Sequence, residues 1–191
     1  MKVPIAAVAL NVVFLLSGIS VCQNQPLKPA RESSVDTGAS LITNGNFSSS
    51  LQSWYTVGEG TNRFHPEDPG RAKFTVQNGI LQIDIHDQGN TIWSVMLYQS
   101  AQFEKGANYT VSFRAKADFE PHITANVSQD VTYTNFSGDR KFKLTNAMQH
   151  YSYSFTMNEQ GPALVQFCLG HTGKGKIYLT DIAVTRTQQP L

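Results

Sequence analysis

An apolar side chain at every second position is the pattern that most constrains this chain. LQIDIHD sets Leu81, Ile83 and Ile85 against Gln82, Asp84 and His86, and NYTVSFRAKA sets Tyr109, Val111, Phe113 and Ala115 against Thr110, Ser112, Arg114 and Lys116. HITANVSQ sets Ile123, Ala125 and Val127 against Thr124, Asn126 and Ser128, and HYSYSFTM sets Tyr151, Tyr153, Phe155 and Met157 against serines and a threonine. ALVQFCLG and KIYLTDIAV complete the set. Successive side chains of a strand point to opposite faces, so each run predicts a strand with one face in a core and one in water. Turn residues separate the runs: QNG at 77–79, DQGN at 87–90, EKGAN at 104–108, NEQGP at 158–162 and GKG at 173–175. Strands with one polar face suit antiparallel sheets, because parallel sheets bury both faces. No amphipathic helix, internal repeat or second domain is visible from Leu41 onward. The expectation is an all-β domain, a two-sheet antiparallel sandwich or a barrel.

One stretch resists the pattern. In TIWSVMLYQ, residues 91–99, one strand face would carry Trp93, Val95, Leu97 and Gln99, and the other Ile92, Ser94, Met96 and Tyr98. Both faces are largely apolar, so each needs something to touch.

The chain has 191 residues and opens with MKVPIAAVALNVVFLLSGISVCQ: one lysine, an apolar run, then small residues. That layout predicts a secretory signal peptide over residues 1–22. Lipidation at Cys22 is a second reading, although Val21 stands where a lipoprotein signal wants a small residue. Residues 23–39 hold Pro26 and Pro29 without apolar periodicity and read as a linker. The folded domain is expected over 40–187, with a tail at 188–191. Export places the domain in an oxidising compartment, but Cys168 is the only other cysteine. A disulfide framework is therefore not the source of stability, and the fold must rest on its core.

A net charge of +1 and the absence of any basic run argue against nucleic acid as a partner. No membrane partner is expected for the mature domain unless Cys22 is lipidated. The domain is expected to be secreted and monomeric. Sequons at Asn46, Asn108, Asn126 and Asn135 matter only where exported proteins are glycosylated; chance accounts for them in a chain rich in Asn, Ser and Thr.

Catalytic constellations are missing. No G-x-S-x-G elbow exposes a nucleophile, and Cys168 between Phe167 and Leu169 reads as a small buried hydrophobe. The histidines at 65, 86, 122, 150 and 171 form no H-x-x-x-H pair, and there is no C-x-x-C. GHTGKGK at 170–176 lacks the Walker spacing and reads as a hairpin turn. Glu59, Glu67, Asp68, Asp84 and Asp87 could supply a carboxylate pair, but sequence alone brings no two together. The chain is read as a non-enzyme.

LITNGNFSSSLQSW, NGILQIDI, IWSVMLYQ, FEKGANYTVSFRAKA, Gln129 after a strand, QHYSYSFTM and VQFCLG followed by IYLTDIAV form an ordered set over residues 41–186. In order and spacing this set resembles the family 4/9 carbohydrate-binding modules. The resemblance implies a two-sheet β-sandwich of the jelly-roll type, with one concave sheet forming a groove for a glycan. It also implies which residues face that groove: Trp93, Val95, Leu97 and Gln99 on one strand, Thr124 and Asn126 on the next, then Asp130 and the loop residue Tyr133, and Leu164, Gln166 and Cys168 on a third. Ile92, Met96 and Tyr98 would then face the core.

The chemistry suits a sugar. A pyranose offers C–H bonds on one face and hydroxyls at its rim, so aromatic surface with a few converging polar groups is the appropriate recipe. Trp93 and Tyr133 would be the platforms. Gln99, Asn126 and Gln166 each donate and accept, as a hydroxyl does. Trp54, Tyr109, Phe113, Tyr153 and Phe155 are read as core. Tyr55, in WYTV, is the aromatic nearest to where relatives often carry a further platform. Relatives often carry an arginine where Thr124 stands and glutamines where Leu164 and Cys168 stand, so this groove is drier.

The resemblance also implies a structural calcium away from the groove. The positions that would hold it carry Ser48 and Thr180, with Asp181 one residue late, so the usual side chains are missing. No other cofactor is expected. The leading expectation is a secreted, non-catalytic protein binding a β-linked polysaccharide or oligosaccharide of the β-glucan or xylan type. The alternative is an extracellular jelly-roll interaction or structural module that has lost sugar binding.

Overall fold

The computed structural model describes residues 38–59, 62, 64 and 66–187. The expected signal peptide, Cys22, nearly all of the expected linker, His65 and the tail at 188–191 lie outside the described residues. The described residues form ten strands: β1 (Tyr55–Val57), β2 (Arg71–Gln77), β3 (Ile80–Asp87), β4 (Met96–Phe103), β5 (Asn108–Ala117), β6 (His122–Ser128), β7 (Arg140–Lys143), β8 (Gln149–Thr156), β9 (Gly161–Cys168) and β10 (Gly175–Thr187). They form two five-stranded sheets, a front sheet ordered β1-β4-β9-β6-β7 and a back sheet ordered β2-β3-β10-β5-β8. Every pairing is antiparallel, and none of the described residues lies in an α-helix. Of the sandwich or barrel that the alternation predicts, the fold is the two-sheet sandwich that the resemblance implies.

The back sheet obeys the alternation cleanly. Leu81, Ile83 and Ile85 of β3, Val111, Phe113 and Ala115 of β5, and Ile177 and Leu179 of β10 are all buried. Their polar neighbours point outward, where Thr110 and Ser154 hydrogen-bond across adjacent strands at 2.8 Å. From the front sheet Leu97, Phe103, Ile123, Ala125, Val127, Val165 and Phe167 join the same core. Phe113 meets Phe167 edge-on at 5.0 Å, and this pair crosses between the sheets. Burying each such ring stabilises the fold by about 1.5–3 kcal/mol. Trp54 is buried, and its Nε1 donates to the Asn44 carbonyl at 3.0 Å.

The front sheet differs, because both of its faces are covered. β6 and β9 each end in six consecutive buried residues. On the side away from the main core, Val57, Met96, Tyr98, Leu164 and Cys168 form a second apolar cluster, with Phe64 and Ile92 packed against it. This explains the two apolar faces of TIWSVMLYQ: each has its own cluster to join.

The orientation of that stretch is nevertheless the reverse of the expectation. Val95 and Leu97 enter the main core, while Met96 and Tyr98 face outward. Register decides it: β4 pairs Met96 with Cys168 and Tyr98 with Gln166, and directly paired residues share a face. Residues 92–94, moreover, are not strand but a 3₁₀ turn, Ile92–Ser94, which takes Trp93 out of the alternation altogether.

Two glycines fix close approaches. Gly45, in the NG-x-F motif, lies against the backbone of Ile182, where a Cβ would collide with its carbonyl. Gly170 lies under the 3₁₀ turn, where a Cβ would collide with the Thr91 carbonyl, and its N–H donates to the Ile92 carbonyl at 3.0 Å. The second contact seats the turn that carries Trp93.

Candidate functional site

Antiparallel register lines up side chains across the front sheet. Tyr55 of β1 pairs with Tyr98 of β4, Tyr98 with Gln166 of β9, and Gln166 with Asn126 of β6. This row of two rings and two amides runs across the outer face of the sheet. Beside it runs a drier row of Val57, Met96, Cys168 and Thr124. Burial pushes the Cys168 thiol well above the usual thiol range, which keeps it protonated and inert.

Over the two amides opens a pocket of ≈ 350 Å³, within the range of small-ligand sites. Phe64, Trp93, Met96 and Tyr133 give it aromatic and apolar walls, and Asn126, Ser128, Asn135, Asp139 and Gln166 give it polar ones. A second recess of ≈ 690 Å³ lies over the other half of the face and includes Tyr55, Tyr98, Gln129, Asp130 and Leu164 in its lining. Tyr55 stacks on Tyr98 at 5.4 Å, Phe64 meets Tyr98 edge-on at 5.6 Å, and Phe64 meets Tyr133 edge-on at 6.1 Å. The rings thus form a continuous chain from one recess to the other.

Asn126 carries the most telling polar atom. Its side chain is almost wholly buried, and its Nδ2 donates to Asp139 Oδ1 at 2.9 Å. Its Oδ1 is buried and has no hydrogen-bond partner. Turning the amide over would set oxygen against carboxylate, so the orphan acceptor cannot be relieved that way. Leaving such a group unsatisfied costs about 1–3 kcal/mol, which a ligand donor would recover. The sequon at Asn126 is closed to modification in the folded domain, since the nitrogen that would carry a glycan is buried against Asp139.

Two loops build the walls. The segment between β6 and β7 turns back through a hydrogen bond from Gln129 N–H to the Thr134 carbonyl at 2.9 Å. Gln129 Oε1 accepts from the Val131 and Thr132 N–H groups at 2.6 and 2.5 Å. Tyr133 sits at the tip with φ of +57°, a left-handed conformation that a bulky residue adopts only when its surroundings impose it. Its ring remains 59% exposed.

The second wall is the 3₁₀ turn, clasped by Asp68. Asp68 Oδ2 accepts from Ser94 Oγ at 2.5 Å, and its carboxylate accepts from the Asn90 N–H at 3.0 Å. Asn62 Nδ2 donates to the Trp93 carbonyl at 3.1 Å. The hydrogen bond from Ser94, with that from Asn90, holds the Asp68 carboxyl below the usual carboxylate range.

Of the six groove residues expected to contact a sugar, Trp93, Gln99, Asn126, Asp130, Tyr133 and Gln166, four line one pocket: Trp93, Asn126, Tyr133 and Gln166. Trp93 is there because its turn brings it, not because of strand parity. Asp130 lines the neighbouring recess. Gln99 does not belong with them. It faces the inter-sheet side and is buried, with Oε1 accepting from Thr43 N–H at 2.9 Å and Thr43 Oγ1 at 3.1 Å, and Nε2 donating to the Thr43 carbonyl at 3.0 Å. Gln99 pins the irregular segment leading into NG-x-F to β4. Val95 and Leu97 leave the groove with it, and Ile92, Met96 and Tyr98 enter.

The sequence reading missed Tyr98 and Phe64 as groove rings and left Tyr55 unassigned. Continuing the parity of β4 to its end would have found Tyr98. Phe103 and Ala101 are core and Ser100 and Gln102 are polar, so the odd positions face inward. Asp139 sits on a loop, where no periodicity speaks for it.

The calcium positions do not fit a cation. Thr180 Oγ1 donates to the Gly79 carbonyl at 2.8 Å, and Asp181 sits in a bulge with its carboxylate 3.6 Å from Arg114. Ser48 supplies no carboxylate, and calcium affinity rests largely on carboxylates.

A family model described as a carbohydrate binding domain matches residues 39–171. Among solved structures, a CBM4 domain is similar at 25% identity, covering 76% of this chain and 99% of its own length, with a TM-score of 0.68. The second N-terminal cellulose-binding domain of β-1,4-glucanase C from Cellulomonas fimi shares the fold at 21% identity, 79% and 96% coverage, and a TM-score of 0.58. A family 61 carbohydrate-binding module in complex with β-1,4-galactotriose shares it at 12% identity, 77% and 98% coverage, and a TM-score of 0.55. No curated protein sequence matches.

Proposed function

Because this chain belongs to the family 4/9 carbohydrate-binding domains, we propose that it is an exported, non-catalytic protein that binds a β-linked glycan along the outer face of its front sheet. The observation that carries this reading is the orphan Asn126 Oδ1, a buried acceptor of a residue that lines one pocket with Trp93 and Tyr133. A sugar satisfies both features at once. A ring hydroxyl donates to the amide oxygen, and the C–H face packs against an aromatic ring.

Gln166 stands next to Asn126 in the row and offers a donor and an acceptor to neighbouring hydroxyls. The ring chain from Tyr133 through Phe64 and Tyr98 to Tyr55 suits an extended chain of several sugars rather than one. A β-glucan or xylan is the class whose flat, extended residues match such a surface. The opening residues support export, with the domain acting outside the cell as a monomer. Isothermal titration of the protein with β-1,4-glucan and xylan oligomers tests the reading: saturable binding supports it, and no heat with any glycan removes it.

A further inference from the structure

The pocket's two best-placed polar groups are both acceptors. Asn126 Oδ1 is buried and unpartnered, and Asp139, which lines the same pocket, is a carboxylate. The amide donors of Asn126 and Asn135 both go to Asp139 Oδ1, at 2.9 and 2.8 Å, which leaves the Asn126 amide oxygen without a donor in a side chain that lines the pocket. Two amide hydrogen bonds to one oxygen also fix the carboxylate in place, so that little is lost in ordering it when a ligand arrives.

A sugar hydroxyl can donate one hydrogen bond here. A protonated amine can donate three, carries the opposite charge to Asp139, and makes the shorter and stronger charge-assisted bond. We propose that this pocket is a subsite for an amino sugar, a pyranose bearing a free amine, whose ammonium is shared between Asn126 Oδ1 and Asp139 while its ring packs beside Trp93 and Tyr133. The proposal rests on the glycan reading above and narrows it. Of two β-1,4-linked chains alike in shape, the one with amines in place of hydroxyls binds better. Lys141 and Arg140 follow Asp139 on β7, where they pair with Thr124 and Ala125 of β6, but do not line the pocket.

The test compares two β-1,4-linked pentamers, of glucose and of 2-amino-2-deoxyglucose, by calorimetry with the full chain at about pH 5.5, where an amine is protonated. The amino pentamer is expected to bind about fivefold more tightly at low salt, the scale of one partly exposed charge pair. That advantage should vanish in Asp139→Asn. It should also shrink in about 0.5 M salt, where the screening length falls to roughly 4 Å, while binding of the glucose pentamer holds. Non-specific attraction of a polycation would survive the loss of one carboxylate, so an advantage that persists in Asp139→Asn overturns the proposal. So does equal or weaker binding of the amino pentamer, in which case binding of the glucose pentamer leaves the general glycan reading standing. If neither pentamer binds, the amino-sugar proposal falls, and the titration with xylan oligomers decides the general glycan reading. Should Asp139→Asn not fold, Asn126→Ala takes its place: an amino-pentamer advantage that survives loss of the orphan acceptor overturns the proposal, and one that shrinks supports it.

Discussion

Tyr55 and Tyr98 stack at 5.4 Å with their planes only 19° apart, on the outer face of the front sheet. The pair fixes the polarity of β4, because Tyr98 cannot reach Tyr55 without sending Leu97 and Gln99 to the other side. It also means that the ring in WYTV belongs to the aromatic chain on this face rather than to the core, being 61% exposed. Tyr55→Ala should therefore cost less than about 1 kcal/mol of stability, as exposed substitutions do. It should weaken binding of long oligomers about threefold and leave short ones nearly unaffected, since the recess it lines lies beyond the Asn126 pocket. Titration of a length series against wild type and variant checks this.

Gln99 separates two roles that the sequence could not. Its amide makes three hydrogen bonds to Thr43, so Gln99→Ala leaves the N–H and carbonyl of Thr43 without partners. The expected cost is about 1–3 kcal/mol in chemical denaturation. Glycan affinity at a temperature where the variant is folded should stay within about twofold. Loss of binding with no loss of stability would return Gln99 to the groove.

Much of the fold was legible because one face of most strands is polar. β3, β5 and β8 show it plainly, and their predicted limits differ from the observed ones by about a residue. β4 was harder for a physical reason. Its two faces join two different apolar clusters, so hydrophobicity does not distinguish inside from outside, and only the polar Ser100 and Gln102 near its end do so. Asn126 and Gln166 were legible as amides among apolar neighbours. Asp139, Asn135 and Phe64 were not, because they sit on loops whose course follows from tertiary contacts.

The Asp68 clasp gives the domain an acid-sensitive element. Hydrogen bonds from Ser94 and Asn90 lower the Asp68 carboxyl below its ordinary value of 3.8. A depressed carboxyl contributes stability that is fully present above its unfolded pKa and is lost as pH falls through the folded one. Glu120, lowered by its hydrogen bond and ion pair with Lys143, acts in the same direction. Asp68→Asn should melt below wild type at neutral pH, and the gap should close as pH falls below about 4. Melting curves across pH check the sign; a gap that widens in acid contradicts it.

Cys168 is buried in the floor of the face with its thiol held protonated. Thiol alkylation should leave it untouched in the folded protein at neutral pH and modify it fully in denaturant. Rapid labelling in the folded state would mean that the floor opens to solvent.

Glycan binding at the outer face of the front sheet is expected to rest on Trp93 and Tyr133. Electrophoresis of folded protein through gels containing β-glucan or xylan tests it most directly. Wild type and Gln99→Ala should be retarded by the same polysaccharide, whereas Trp93→Ala and Tyr133→Ala, with melting curves close to wild type, should run as they do in empty gels. Retardation of Trp93→Ala equal to that of wild type, or no retardation of wild type by any polysaccharide, would contradict the account.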